Sequence, residues 1–183
     1  MRVIAGTAGG RRLFTPRTDI RPTMDRVKAA IFSSLSAMVP GARVLDLFAG
    51  SGALGIEALS RGAAEATFVE SEARAVEAIR RNLETTLLKG VVHQLDVFAF
   101  LDRLARPGTF EMVLADPPYA KQRGERSFTP ELLASEALHD ALSPDGIFVL
   151  EKMPVERLPS SPRWEPIRSK TYGATEVVFL RAI

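Results

Sequence analysis

From about residue 43 onward, short apolar runs alternate with stretches that carry apolar residues at helical spacing. "RVLDLF", "EATFVE", "VVHQLD", "EMVLAD" and "GIFVLE" read as strands. Helical patterns cover about 53–61, 72–88, 97–105 and 131–142. In the second of these, Val76, Ile79, Leu83 and Leu87 share one face, and Ser71 followed by Arg74 gives a start signal without the acid of a capping box. This alternation predicts an α/β fold, a parallel sheet with helices on both faces. After Glu151, "MPVERLPSSPRWEPI" is too rich in proline for helix, and "TEVVFLRAI" alternates as a strand. An antiparallel pair then closes one edge, giving a seven-stranded, mostly parallel sheet with one antiparallel strand. Ahead of the sheet, "RVIAG" and "RRLFT" flank "TAGG", the pattern of a short β-hairpin. Thr23 is placed to cap a following helix that carries Val27, Ile31, Leu35 and Met38 on one face. The division expected is a hairpin-and-helix extension over 1–40 and the sheet domain over 41–183.

Composition narrows the class. The 183 residues are 46% hydrophobic and 25% charged, enough for one full core. Charges interrupt every apolar run well short of the ~20 residues of a membrane span, and the first residues lack the apolar centre of a signal peptide. A cytoplasmic monomer that binds no membrane is expected. With 0 Cys and 2 His there is no disulfide framework or cysteine-based metal site, and no metal is expected. The net charge of +2 hides an asymmetry, because residues 1–28 hold seven basic side chains against Asp19 and Asp25. Arg2, Arg11, Arg12 and Arg21 in that stretch suit the neutralisation of phosphates, or form a solvated basic arm.

"DLFAGSGALG" puts Gly50, Gly52 and Gly55 at the G-x-G-x-x-G spacing after the first strand. Such a turn lets a ligand approach the backbone and aims free N–H groups at it, with Ala49, Gly50, Ser51 and Gly52 as the contact residues. The spacing alone permits a dinucleotide, or simply a tight turn. Glu70, ending the second strand about 20 residues on, suits the two hydroxyls of a ribose. Asp46, inside the first strand, discriminates: a pyrophosphate would meet a like charge, whereas a sulfonium or an ammonium would be stabilised. S-adenosylmethionine carries both cations. Asp96, with Val97, follows the third strand and can take the adenine amino group, cap the next helix, or do both.

"LADPPYA" follows the fourth strand and belongs at the same sheet edge. Asp116 and the Pro117 carbonyl can each accept one proton of a planar NH2 group. Pro117 and Pro118 contribute no backbone donor and stiffen the corner, and Tyr119 can stack on a base. Accepting both protons localises the nitrogen lone pair for direct displacement at a methyl group.

Together "RPTMDRVKAAIF", "DLFAGSGALGIEALSRGA", "FVE", "DPPY" and "KTYG" resemble the RsmD family of bacterial small-subunit ribosomal RNA guanine-N2 methyltransferases, over nearly the whole chain. The resemblance implies a class I S-adenosylmethionine-dependent methyltransferase sheet (Rossmann-like) and one guanine of small-subunit RNA, within an assembling particle, as acceptor. By the same resemblance Thr23 and Arg26 sit where amino-methyltransferases contact the methionine end of the donor. Tyr172 and Gly173 shape the pocket rim or form a bulge. The alternatives are an adenine-N6 DNA methyltransferase, a glutamine methyltransferase of release factors, or an inactive RNA-binding assembly factor.

Overall fold

In the computed structural model, residues 1–16, 22–119 and 125–183 are described, with the side chains of Pro22 and Thr23 left aside. Helix α1 (Pro22–Ser34) precedes β1 (Arg43–Leu47), α2 (Ala53–Ser60), β2 (Glu65–Glu70), α3 (Ala73–Thr86), β3 (Val91–Gln94), α4 (Val97–Arg103) and β4 (Phe110–Ala115). Then come α5 (Phe128–Ala134), α6 (Glu136–Ala141), β5 (Leu142–Lys152), β6 (Trp164–Tyr172) and β7 (Thr175–Ala182). The seven strands lie in the order β3-β2-β1-β4-β5-β7-β6. Strands β1 to β5 run parallel, and β7 is antiparallel to both of its neighbours, β5 and β6. The sheet has the strand number and directions that the sequence predicts.

Alternation along the strands builds two cores. Val44, Met112, Leu114, Ile147, Val149 and Val177 face one side, under α1, α2 and α3. Leu45, Leu47, Val113, Phe148, Leu150 and Val178 face the other, under α4, α5 and α6. Strand order reverses at β1 and β4, and ligands of open parallel sheets bind beyond the carboxyl ends of the strands at such a switch point.

Three expectations are corrected. The single helix over 131–142 is two short ones, broken at Ser135, whose hydroxyl caps α6 by accepting from the Leu138 N–H at 3.1 Å. Helix α3 starts after Glu72 with no side-chain cap from Ser71. Thr23 is the second residue of α1 and not its cap, and α1 ends at Ser34, so Leu35 and Met38 lie beyond it. Pro22 in first position suits a helix start, where a missing N–H costs no bond. The expected N-terminal hairpin is present as a short one, with a bridge between Arg2 and Arg12 and backbone bonds from the Val3 N–H to the Arg11 carbonyl at 2.9 Å, the Gly10 N–H to the Val3 carbonyl at 2.9 Å and the Leu13 N–H to the Met1 carbonyl at 3.0 Å. The N–H groups of the following residues, Ile4 and Ala5, donate to the Glu57 carboxylate of α2, at 2.7 and 3.1 Å.

That segment is clasped onto the fold at three places. Glu57, fully buried, takes those two bonds and pairs with Lys28 at 3.4 Å and Arg61 at 2.7 Å. The Ser60 hydroxyl donates to the Ala5 carbonyl and accepts from the Ala8 N–H. Asn82 on α3 accepts from the Phe14 N–H and donates to the Phe14 carbonyl, at 2.7 and 2.8 Å. Val3, Ala8 and Leu13 are thereby buried in the first core.

Candidate active site

The turn after β1 is built by its glycines. Gly50 and Gly52 have φ of +55° and +76°, a region in which a side chain is strained. A Cβ on Gly50 would meet nothing nearer than the Phe48 carbonyl oxygen at 3.9 Å, so the space above it is open to a ligand. Gly55 serves a different purpose, for a Cβ there would sit 2.3 Å from the buried Phe68 ring on β2. It lets the helix lie close on the sheet.

The expected row of free N–H groups is largely spent within the protein. The Ala49 N–H donates to the Val69 carbonyl at 3.1 Å, and the Gly52 N–H to the Ala49 carbonyl at 2.7 Å. The Gly50 N–H donates to Glu70 Oε2 at 2.8 Å. Ser51 is pinned through its carbonyl by the Asn82 amide at 2.9 Å. Glu70 thus joins the turn to its own strand end, since its Oε1 also accepts from the Glu72 N–H at 2.9 Å. Oxygens of that carboxylate retain lone pairs for further donors.

Asp46 is 2% exposed, and its Oδ2 accepts from the Gly55 N–H at 2.8 Å, fixing the first turn of α2. Burial pushes its pKa up to about 8 against that hydrogen bond, and the charges of Asp116 and Glu70 push the same way. A cation bound nearby would restore the ionised form. Asp96 is the cap of α4: its Oδ1 accepts from the Phe98 and Ala99 N–H groups at 3.0 and 3.1 Å. The Val97 side chain is buried in the second core, so only its backbone can face a ligand.

At the end of β4, directly beside the turn, Asp116 is half-buried, Pro117 buried, Pro118 exposed and Tyr119 half-buried. Burial raises the Asp116 pKa to about 6. The Tyr119 hydroxyl shares a hydrogen bond of 3.1 Å with the Thr175 hydroxyl at the start of β7, which holds the ring over this part of the edge. Tyr172 and Gly173 do not form the bulge. The register shift lies between Pro166 and Arg168, whereas Gly173, with φ +60°, opens the two-residue turn between β6 and β7. That turn abuts Tyr119.

Arg26 is exposed on α1; the Thr23 side chain and Arg21 lie outside the described residues. Of the basic residues, Arg2 and Arg12 are exposed, while the Arg11 guanidinium donates to the Thr85 carbonyl at 2.5 Å. Residues 120–124 of the loop after the site are also outside the described part.

Two features escaped the sequence reading. Glu151, 9% exposed, stands at the end of β5 next to Asp116, one step beyond the Ala115–Leu150 pair. Burial raises its pKa well above the ordinary carboxylate range, and the charges of Asp116 and Asp46 add to the effect. Its signal was an acid closing the fifth apolar run, the same mark that singled out Glu70 and Asp116. The second feature is an aromatic wall beside Asp96. Phe48, in the left-handed region at φ +56°, meets Phe128 edge-on at 4.9 Å, and Phe98 stacks on Phe128 at 6.5 Å. Arg126 lies over both Phe98 and Phe128, held by Glu131 at 2.6 Å.

A parallel sheet with one reversed strand, a glycine turn after β1 and an acidic corner after β4 is the class I methyltransferase fold. Its backbone matches that of the ribosomal protein L11 methylase from Lactobacillus delbrueckii subsp. bulgaricus, with a TM-score of 0.70 at 15% identity, covering 89% of this chain and 80% of the other. The chain itself belongs to the RsmD methyltransferase family, described as "Conserved hypothetical protein 95" and matched over residues 1–181. It is 36% identical to ribosomal RNA small subunit methyltransferase D of Escherichia coli K12, over 94% of this chain and 85% of the relative. The Haemophilus influenzae protein of the same name is 34% identical, over 94% and 89%. A solved hypothetical protein of Thermus thermophilus superposes with a TM-score of 0.81 at 31% identity, over 99% of both chains.

Proposed function

We propose that the protein transfers a methyl group from S-adenosylmethionine to the exocyclic N2 amine of a guanine in small-subunit ribosomal RNA. The observation that carries this reading is the corner of Asp116, Pro117 and Pro118, whose prolines contribute no backbone donor, with Tyr119 beside it, adjoining an open glycine turn at the switch point of the sheet. Small-subunit RNA as the substrate follows from the names of the relatives and from the motif resemblance.

The residues present fit the donor. Gly50 leaves open space for close approach, Glu70 offers acceptor oxygens at the ribose position, and Asp46 is a buried carboxyl whose ionised form calls for a cation. Asp96, with Val97, would serve the adenine end, and Ala49, Ser51, Gly52, Thr23 and Arg26 the methionine end. When bound, the donor supplies an electrophilic methyl group on a sulfonium.

The chain's own part is to prepare the nucleophile. Asp116, ionised, accepts one amine proton and the Pro117 carbonyl the other, which leaves the nitrogen lone pair free to attack. The Tyr119 ring stacks on the base and holds the amine in line. Asp116 then takes the proton released when nitrogen gains its methyl group. Residues 1–40, with Arg2, Arg11, Arg12 and Arg21, form the RNA-facing extension of the catalytic part, and the protein acts as a cytoplasmic monomer.

The test uses radiolabelled donor with small ribosomal subunits, naked small-subunit RNA, duplex DNA and release factors, followed by mass spectrometry of the labelled nucleoside. Label in N2-methylguanine from the subunit or its RNA is the expected result. Label confined to DNA or to protein would overturn the reading.

A further inference from the structure

Across the carboxyl edge of the sheet the polar groups stand in a definite order. Glu70 ends β2, Asp46 belongs to β1, Asp116 follows β4, Glu151 lies near the end of β5, and Thr175 begins β7. Asp46, Asp116 and Glu151 share one face, because each alternates with a residue of the second core: Leu45 and Leu47, Ala115, and Leu150. The donor is assigned to the glycine turn, with Glu70 and Asp96 farther out along β2 and β3. Glu151 is on the opposite side of Asp116, between that residue and the strand whose Thr175 holds the Tyr119 hydroxyl at 3.1 Å. Its backbone partner in β7 is Val177, two residues from Thr175. It therefore belongs to the acceptor half of the site.

The condition of the Glu151 side chain is unusual. At 9% exposure, it makes no hydrogen bond or ion pair among the described residues, although Lys152 beside it is bonded to Glu176, Met153 and Glu156. A carboxyl largely withdrawn from water, with no partner in the protein, is satisfied when a ligand supplies the missing bonds.

We propose that Glu151 is a specificity-determining residue that reads the target base, accepting the ring N1–H of guanine and donating to its O6. This rests on the guanine-N2 reading above. In guanine the N1–H and O6 follow the N2 amine along one edge, so a base whose amine is held by Asp116 and Pro117 presents that pair to the neighbouring strand end. A carboxyl that keeps its proton offers one donor and one acceptor, complementary to the pair. Burial keeps Glu151 in that form. Adenine with its N6 amine in the same place presents a lone pair at N1, followed by C2–H, and cannot make both bonds.

The experiment places either guanine or 2-aminopurine at the mapped target position of the RNA. The second base keeps the N2 amine but lacks N1–H and O6. Wild type is expected to prefer guanine by about tenfold or more in kcat/KM, in line with the discrimination of a bidentate base contact. Glu151→Leu loses that preference by slowing on guanine and not on 2-aminopurine, with its Kd for S-adenosylmethionine unchanged. Glu151→Gln, whose amide has the same donor and acceptor, retains much of it. Equal loss on both bases in Glu151→Leu, or a wild type with no preference, overturns the inference, and the second result needs no folded variant. Failure of the guanine reading is seen separately, as wild type placing label on no guanine, and takes this inference with it.

Discussion

At the scale of the residue, the site depends on carboxyls held away from their ordinary titration. Asp116 can take up the proton released from the amine only when ionised, and its pKa is about 6, so kcat/KM should fall by about tenfold per pH unit below that value. Asp116→Asn should reduce transfer by at least about 100-fold while leaving donor affinity nearly intact, as equilibrium binding would show. Asp46 runs in the opposite sense with respect to stability. Its folded pKa of about 8 exceeds the ordinary 3.8, so its contribution is complete below about pH 4 and is lost as pH rises through 8. Asp46→Asn keeps an acceptor for the Gly55 N–H and cannot ionise. The Tm of the variant relative to wild type should therefore rise between pH 4 and pH 8, by a few degrees for each ~1 kcal/mol at this size. Gly55→Ala should cost about 1–3 kcal/mol by urea unfolding, since its methyl group would press on the buried Phe68 ring. Adding Phe68→Leu should recover part of the loss.

At the scale of the element, the strands were legible because their signal is local: four apolar residues close together in "RVLDLF" or "EMVLAD" announce themselves without neighbours. The glycine turn and "DPPY" were legible for the same reason, as short contiguous motifs. Glu151 was not, because its meaning lies in the register that sets Ala115 against Leu150, and no sequence spacing states a register. Glu57 escaped likewise. It is an acid inside the apolar helix "ALGIEALS", and what it holds is a segment more than fifty residues earlier. The hairpin pattern of "RVIAG" and "RRLFT" was read correctly as a turn back, but the pattern could not show that Glu57 holds the Ile4 and Ala5 N–H groups next to it. Glu57→Ala removes the acceptor of two N–H groups and takes the paired carboxylate from buried Lys28, which keeps its bond to the Arg2 carbonyl and whose pKa is already lowered by burial. It should destabilise the protein by about 3–5 kcal/mol, measurable by urea unfolding.

At the scale of the whole molecule, charge and chemistry are divided between the N-terminal segment and the carboxyl edge of the sheet. Arg2 and Arg12 are exposed on either side of the single bridge that closes the N-terminal turn. Replacing both by Ala should weaken RNA binding and reduce the slope of log K against log salt by about one to two. An unchanged slope would remove this segment from the RNA interface. The clasp that holds it also has a kinetic side. Residues 4, 5, 8 and 14 are fastened by groups at 57, 60 and 82, so these bonds close large loops and bring little return until α2 and α3 are already packed. The basic segment should then be a late arrival in folding, and Glu57→Ala should accelerate unfolding while refolding keeps nearly its wild-type rate.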